Sequence, residues 1–184
     1  NLTDDDRNRI VESAIAEADG LLAIFNALLR IAQIEAGGRR ENFAPMDLAE
    51  VVSDVAELYE PVALEKSITL AVRCEPTTGL TGDRDLLFQA VANLADNAIK
   101  YTPEGSNVVL HAAGTVVTVS DTGHGIPEDA KEDVFRRFHR LEESRNTPGS
   151  GLGLSLVRAV ATLHGGDVQL EDNRPGLKAI LSIG

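Results

Sequence analysis

Residues 107–126 read Asn107-Val108-Val109-Leu110-His111-Ala112-Ala113-Gly114-Thr115-Val116-Val117-Thr118-Val119-Ser120-Asp121-Thr122-Gly123-His124-Gly125-Ile126. Two β-branched runs, 107–113 and 115–120, meet at Gly114, a pattern that predicts two strands joined by a turn. The second run ends on a carboxylate, Asp121, with glycines at 123 and 125 behind it. A carboxylate at a strand end can accept a hydrogen bond from an exocyclic amine such as adenine N6. Glycines behind it let the backbone come close to a flat ring. The plainer alternative is an Asx turn with positive-φ glycines.

Upstream, Thr81-Gly82-Asp83 predicts a turn and cap for a helix running to Ala98 or Ile99, closed by Thr102-Pro103-Glu104-Gly105. Asn93, Asn97 and Lys100 stand at i, i+4 and i+7 of that helix and share one face. An amide oxygen is a good Mg²⁺ ligand where phosphate supplies the remaining oxygens. A lysine one turn on meets the phosphate charge. Polar helix faces are also common for no reason but solvation. Further upstream, Ile68–Arg73 reads as a strand and Asn42–Met46 as a short extended piece. Between them Asp47 caps a helix to about Glu65 that Pro61 could kink or split.

Downstream, Pro127 opens a short helix to about Val134, and 139–150 reads as a mobile loop. Gly149-Ser150-Gly151-Leu152-Gly153-Leu154 then leads into a helix over 152–163. Free amides and the helix dipole at such a start favour phosphate. The dinucleotide spacing fails at Leu154, and no Gly-Lys-Ser/Thr follows to make a Walker A loop. Strands over 167–171 and 178–183 close the chain. The alternation predicts an α+β fold, a two-layer α/β sandwich with one mixed sheet and helices on one face.

Residues 3–36 differ in character. They hold no Pro, and Gly20 is their one glycine. Val11, Ala18, Phe25 and Ala32 recur every seven residues, as do Ala14/Ile15, Leu21/Leu22 and Leu28/Leu29. This seam, across about three to four heptads, predicts a long helix in a bundle with a partner. Gly37-Gly38 is its expected end. The alternative is an amphipathic helix lying on its own domain.

Of the 184 residues, 29 are acidic and 17 basic, a net charge of −12. That disfavours duplex nucleic acid and an anionic membrane surface as partners. One cysteine, Cys74, allows neither a disulfide framework nor a cysteine zinc site. The most apolar stretch, Leu21–Ile34, holds Asn26, Arg30 and Gln33 and is too short and polar to span a bilayer. The chain opens acidic and without Met, so no secretory signal is expected and the sequence reads as a fragment, cytoplasmic, whose parent could be membrane-anchored.

Taken together and in this order, the segments around Asn93, Asp121 and Gly149 resemble the N, G1 and G2 boxes of sensor histidine kinases, whose ATP-binding domain has the Bergerat fold. Phe135-Arg136-Arg137-Phe138-His139-Arg140 is similar to that family's F box, and Gly82-Asp83 and Leu163-His164-Gly165-Gly166 also match. The resemblance divides the chain into 1–40, the second helix of a dimerisation bundle, and 41–184, a catalytic ATP-binding domain. It implies ATP and Mg²⁺ as cofactors, with Asn93 and Asn97 holding the metal. It implies nucleotide contacts from Lys100, Tyr101, Asp121, Gly123, Gly125, Ile126, Phe138, Arg140, Gly149, Gly151, Leu152, Gly153 and Leu154. Residues 139–150 would be the ATP lid, anchored by Phe135 and Phe138. Partners implied are ATP/ADP, a second copy or another helix through residues 10–32, and a response regulator met by the parent protein.

Transfer in that family goes to a histidine on the first bundle helix. His111, His124, His139 and His164 all fall in the ATP-domain region, so no phosphoacceptor is assigned here. Two other functions fit the same segments. One is an ATPase of this fold, which needs a general-base Glu where Asn93 stands. The other is a non-catalytic nucleotide- or partner-binding module.

Overall fold

The computed structural model describes residues 3–36, 40–75, 79–142 and 149–184. In chain order the elements are α1 (Asp4–Glu35), β1 (Ala44–Met46), α2 (Leu48–Glu65), β2 (Thr69–Cys74), β3 (Leu80–Gly82), α3 (Arg84–Tyr101), β4 (Asn107–Ala113), β5 (Val116–Asp121), α4 (Gly153–Leu163), β6 (Asp167–Asp172) and β7 (Leu177–Ser182). Five strands form one sheet in the order β2-β4-β5-β7-β6. β2 runs parallel to β4 and every other pair is antiparallel. Helices α2, α3 and α4 pack against this sheet, the mixed two-layer sandwich that the sequence predicts.

Period-two burial explains the layering. Val108, Leu110 and Ala112 of β4, Val117 and Val119 of β5, and Ala179 and Leu181 of β7 all turn into one core. From the helix side come Val51, Val52 and Val55 of α2, Leu87, Ala90, Val91 and Leu94 of α3, and Val157, Val160 and Ala161 of α4. Local chemistry fixes where the helices begin. The Asp47 carboxylate accepts the Ala49 N–H at 2.8 Å, and that of Asp83 accepts the Leu86 N–H at 3.1 Å.

Three expectations need correction. Residues 81–82 are not a free turn but part of β3, which pairs antiparallel with β1 (Ala44 opposite Gly82), leaving Asp83 as the cap. The helix expected over 127–134 is two separate 3₁₀ turns, Glu128–Ala130 and Asp133–Phe135, each closed by i→i+3 bonds. The segment is too short to nucleate an α-helix, and burial of Val134 and Phe135 holds the second turn to the core. Pro61 does not split α2, which continues through it to Glu65. Gly37-Gly38 lie outside the described residues.

Helix α1 presents two apolar faces. Near its C-terminal end Ile31 and Ile34 are buried, with Ile24, Ala27 and Leu28 half-covered, where the helix meets α4. Arg30 Nη1 donates to Gln89 Oε1 of α3 at 2.9 Å, and Glu35 is ion-paired with Arg137. A different stripe, Val11, Ile15, Leu22, Phe25 and Leu29, is 44–58% exposed. Among the described residues no helix is long and apolar enough to cross a membrane.

Candidate functional site

The C-terminal half of α3, the end of β5, the start of α4 and the inner faces of β6 and β7 enclose a cavity of about 770 Å³. Asp121 stands at its floor because β5 ends there, between β4 and β7. Its Oδ1 accepts the Gly123 N–H at 2.8 Å and the Leu177 N–H at 3.2 Å. Its backbone carbonyl accepts from Asn173 Nδ2 at 2.7 Å. Burial pushes the carboxyl pKa up from the ordinary 3.8, and those two backbone donors pull it part of the way back. The turn from β6 to β7 comes so close that a Cβ on Gly176 (φ +109) would stand 1.9 Å from the Asp121 carbonyl oxygen, so only glycine fits. With Oδ1 held by backbone, no donor among the described residues reaches Oδ2. The carboxylate is fixed with one oxygen available to a ligand amine.

Asn93, Asn97 and Lys100 line the opposite wall, on the polar border of α3 beside its buried stripe. Asn93 Nδ2 donates to Gln89 O at 2.8 Å, which fixes the amide and leaves Oδ1 facing Gly153. The Lys100 ammonium lies over the Tyr101 ring at 5.2 Å and beside Gly149. The cap residue of α4, Leu152, makes no side-chain hydrogen bond to the helix start, so the first amides of α4 are left to a ligand. Arg140 Nη1 donates to Gly149 O at 2.9 Å and ties the lid's two ends together.

Twelve of the residues expected at the site do line this cavity: Asn93, Asn97, Lys100, Tyr101, Asp121, Gly125, Ile126, Arg140, Gly149, Gly151, Gly153 and Leu154. Three do not. Gly123 sits behind Asp121, where a Cβ would stand 2.7 Å from Tyr101 O. Leu152 is 2% exposed and belongs to the core. Phe138, at φ +63, turns its ring outward and is 55% exposed, so only Phe135 of the two expected anchors is buried. Of the lid, 143–148 lie outside the described residues.

The sequence reading missed Thr102, Leu170, Leu177 and Ala179, which also line the cavity. Leu177 and Ala179 come from β7, which pairs with β5 far upstream in the chain, and Leu170 reaches the cavity through the pairing of β6 with β7, so no local signal marks them. Thr102 stood in view as a helix-ending residue. A second cleft, of about 880 Å³, lies between the end of α1 and α4. Its arginines are committed: Arg137 to Glu35, Arg158 to Glu132, Arg136 to Asp133 and Arg40 to Leu163 O. It therefore offers less to an anion than the cavity at Asp121.

Among the described residues no three His, Cys, Asp or Glu side chains gather as a metal site. Asn93 and Asn97 offer neutral oxygens alone, which suits a hard cation that arrives already bound to phosphate.

Residues 82–183 match the family described as histidine kinase-, DNA gyrase B-, and HSP90-like ATPase. A hybrid signal transduction histidine kinase D of Dictyostelium discoideum is 36% identical over 179 residues, covering 90% of this chain and 12% of that protein. The sensor-like histidine kinase SenX3 of Mycolicibacterium smegmatis is 31% identical, covering 88% and 44%. The chain thus spans less than half the length of either relative. Among solved structures, full-length ShkA in complex with AMPPNP superposes with a TM-score of 0.80 at 30% identity, covering all of this chain and 40% of that one. The mycobacterial sensor histidine kinase MprB gives 0.64 at 30% identity, covering 77% and 97%.

Proposed function

The chain belongs to the histidine kinase-, DNA gyrase B- and HSP90-like ATPase family, and from that premise we propose that it is the ATP-binding catalytic region of a sensor histidine kinase. The observation that carries this reading is the facing of two different recognition elements across one cavity. Asp121, with one carboxylate oxygen held and one open, suits the adenine amine. Asn93, Asn97, Lys100 and the uncapped start of α4 suit the phosphates.

The residues act by positioning. Asp121 fixes the base, Lys100 offsets charge on the phosphates, and Asn93 and Asn97 would hold Mg²⁺ against them. Bound there, Mg²⁺ supplies further neutralisation of the phosphate charge. Residues 139–150, tied by Arg140, would cover the triphosphate and keep water from it. The acceptor histidine lies outside this chain: α1 carries none, and His111, His124, His139 and His164 sit on β4, at the cavity rim, at the start of the lid and at the end of α4. The parent protein would dimerise through residues 10–32, act in the cytoplasm and pass its phosphoryl group to a response regulator.

An ATPase of the same family is the competing reading. Asn93 stands where such an enzyme needs a carboxylate base, which favours transfer over hydrolysis. Radiolabelled ATP supplied with a separate helical hairpin bearing a histidine followed by an acidic residue tests both. Acid-labile label on the hairpin with little phosphate release supports the kinase; phosphate release without label would establish the ATPase.

A further inference from the structure

The segment after β5 carries His124, Gly125 and Ile126 into the wall of the nucleotide cavity. It has no regular structure before the 3₁₀ turn at Glu128–Ala130, so neither a ladder nor a helix fixes its backbone. The β6–β7 hairpin holds it instead, at three points. At the near end, Asp121 accepts the Leu177 N–H on Oδ1 at 3.2 Å and Asn173 Nδ2 on its carbonyl at 2.7 Å. In the middle, Gly125 lies against the Gly176 carbonyl, whose oxygen a Cβ would meet at 3.1 Å. At the far end, Lys131 Nζ meets Asp172 Oδ1 at 2.8 Å, on the last residue of β6.

The Lys131 side chain is 13% exposed, although β6 is an edge of the sheet. A lysine is seldom so covered unless it is paired. Two carboxylates take its charge, Asp172 and, at 2.5 Å, Glu128. The hydrogen bond to Asp172 is the largest cause of the raised Lys131 pKa, and the same bond is the largest cause of the lowered Asp172 pKa. The two partners differ in what they join. Glu128 stands three residues away in the same segment, so its bond is local. Asp172 belongs to the hairpin that already supports Asp121, so its bond closes the loop 121–131 onto one support at both ends.

Resting on the reading of this cavity as an ATP site, we infer that Lys131 is a positioning residue for nucleotide binding: through Asp172 it clasps the loop bearing Gly125 and Ile126 to the β6–β7 hairpin and so holds the base side of the cavity in shape. Lys131 touches no ligand in this account. With the clasp open, the loop keeps its anchor at Asp121 and loses the one at its far end.

The test is titration calorimetry of the whole chain with Mg-ATP and with adenosine. Lys131→Met, which keeps the side-chain length, should bind both about fivefold more weakly, because the affected wall faces the part they share. Asp172→Asn should lose the same factor, and the double variant no more than either single one. Lys131→Arg should bind as wild type does, and so should Glu128→Gln, which breaks the local bond alone. A merely structural bridge would lower the melting temperature of the free chain and leave both affinities at wild-type values, which overturns the proposal. So does a loss seen with ATP and not with adenosine, which would put the effect at the phosphates. A Glu128→Gln protein as weak as Asp172→Asn overturns it too. The Asp172→Asn arm changes a half-exposed side chain and carries the test if Lys131→Met does not fold. Failure of wild type to bind ATP would instead overturn the reading of the cavity, so the two failures are separable.

Discussion

The Nε2 of His164, at the end of α4, accepts the backbone N–H of Asp83 at 3.0 Å, the residue that caps α3. Nδ1 of the same ring lies 2.8 Å from Val160 O and donates to it, so the imidazole is neutral with its proton on Nδ1. The Phe43 ring stacks on it at 4.7 Å. One buried ring thus joins the segment after α1, the start of α3 and the end of α4.

Acid should therefore loosen the domain through His164. Burial is the largest cause of its lowered pKa, with Arg40 adding to it; the Val160 carbonyl and Asp83 oppose them. The unfolded chain then binds the proton more readily than the folded one, so stability rises with pH through this window. Stability is fully present above the unfolded value of about 6.5 and is lost as pH falls from there toward the lower folded value. His164→Gln should be less stable by about 1–3 kcal/mol at pH 7, from the broken pairings. Its melting temperature should also fall less steeply than wild type between pH 7 and pH 5. Parallel pH profiles for the two proteins would show that some other group carries the effect.

Asp121→Asn should cost about 10- to 100-fold in ATP affinity, because the amide can present a donor to the N6 donor. The asparagine oxygen can still accept the Gly123 and Leu177 amides, so circular dichroism should be unchanged. In wild type the raised pKa of Asp121 should make affinity begin to fall at a higher pH than an ordinary aspartate would set. Calorimetry across pH 4–7 on both proteins checks this: the Asn variant should lack the acid-side fall.

At Gly153 a methyl group would stand 2.7 Å from Asn93 Oδ1, whose amide is pinned through Nδ2 to Gln89 O. Gly153→Ala should push that oxygen off its position while adding a good helix former to α4. ATP affinity should drop about tenfold in Mg²⁺, with the gap to wild type narrowing in EDTA, where the amide has no cation to meet. An Ala variant with wild-type affinity in both buffers would remove Asn93 from the metal role.

What could be read in advance was what is local. The Asp83 cap, the period-two runs at 107–120 and the face shared by Asn93, Asn97 and Lys100 depend on neighbours within a few residues, and all stand in the fold. The support of Asp121 by Leu177 and Asn173 depends on β5 lying beside β7, a pairing across more than fifty residues that no short pattern encodes. The pairing of β1 with β3 was hidden for the same reason. Phe138 was placed at the site by its motif, yet its left-handed backbone turns the ring outward. In α1, periodicity located apolar positions but could not say which would meet the rest of the chain.

That division in α1 leads to the last prediction. A helix whose one apolar stripe lay on its own domain would need no partner. Here Ile31 and Ile34 already serve that purpose, on a stripe with Ile24, Ala27 and Leu28. The heptad seam of Val11, Ile15, Leu22, Phe25 and Leu29 falls on the far side of the helix and stays exposed. An apolar stripe of this length in water favours association. Phe25→Glu with Leu29→Glu should abolish self-association by placing two carboxylates in the seam, while Ile31 and Ile34 keep α1 docked. Sedimentation of wild type should show a concentration-dependent dimer and the double variant a monomer. ATP affinity should be the same in both, because neither residue lines the cavity. Replacing Ile31 with Glu should do the reverse, destabilising the domain by about 3 kcal/mol or more for a buried charge while leaving the seam intact. A wild-type chain that sediments as a monomer at every concentration would show that the exposed stripe needs a partner other than a second copy.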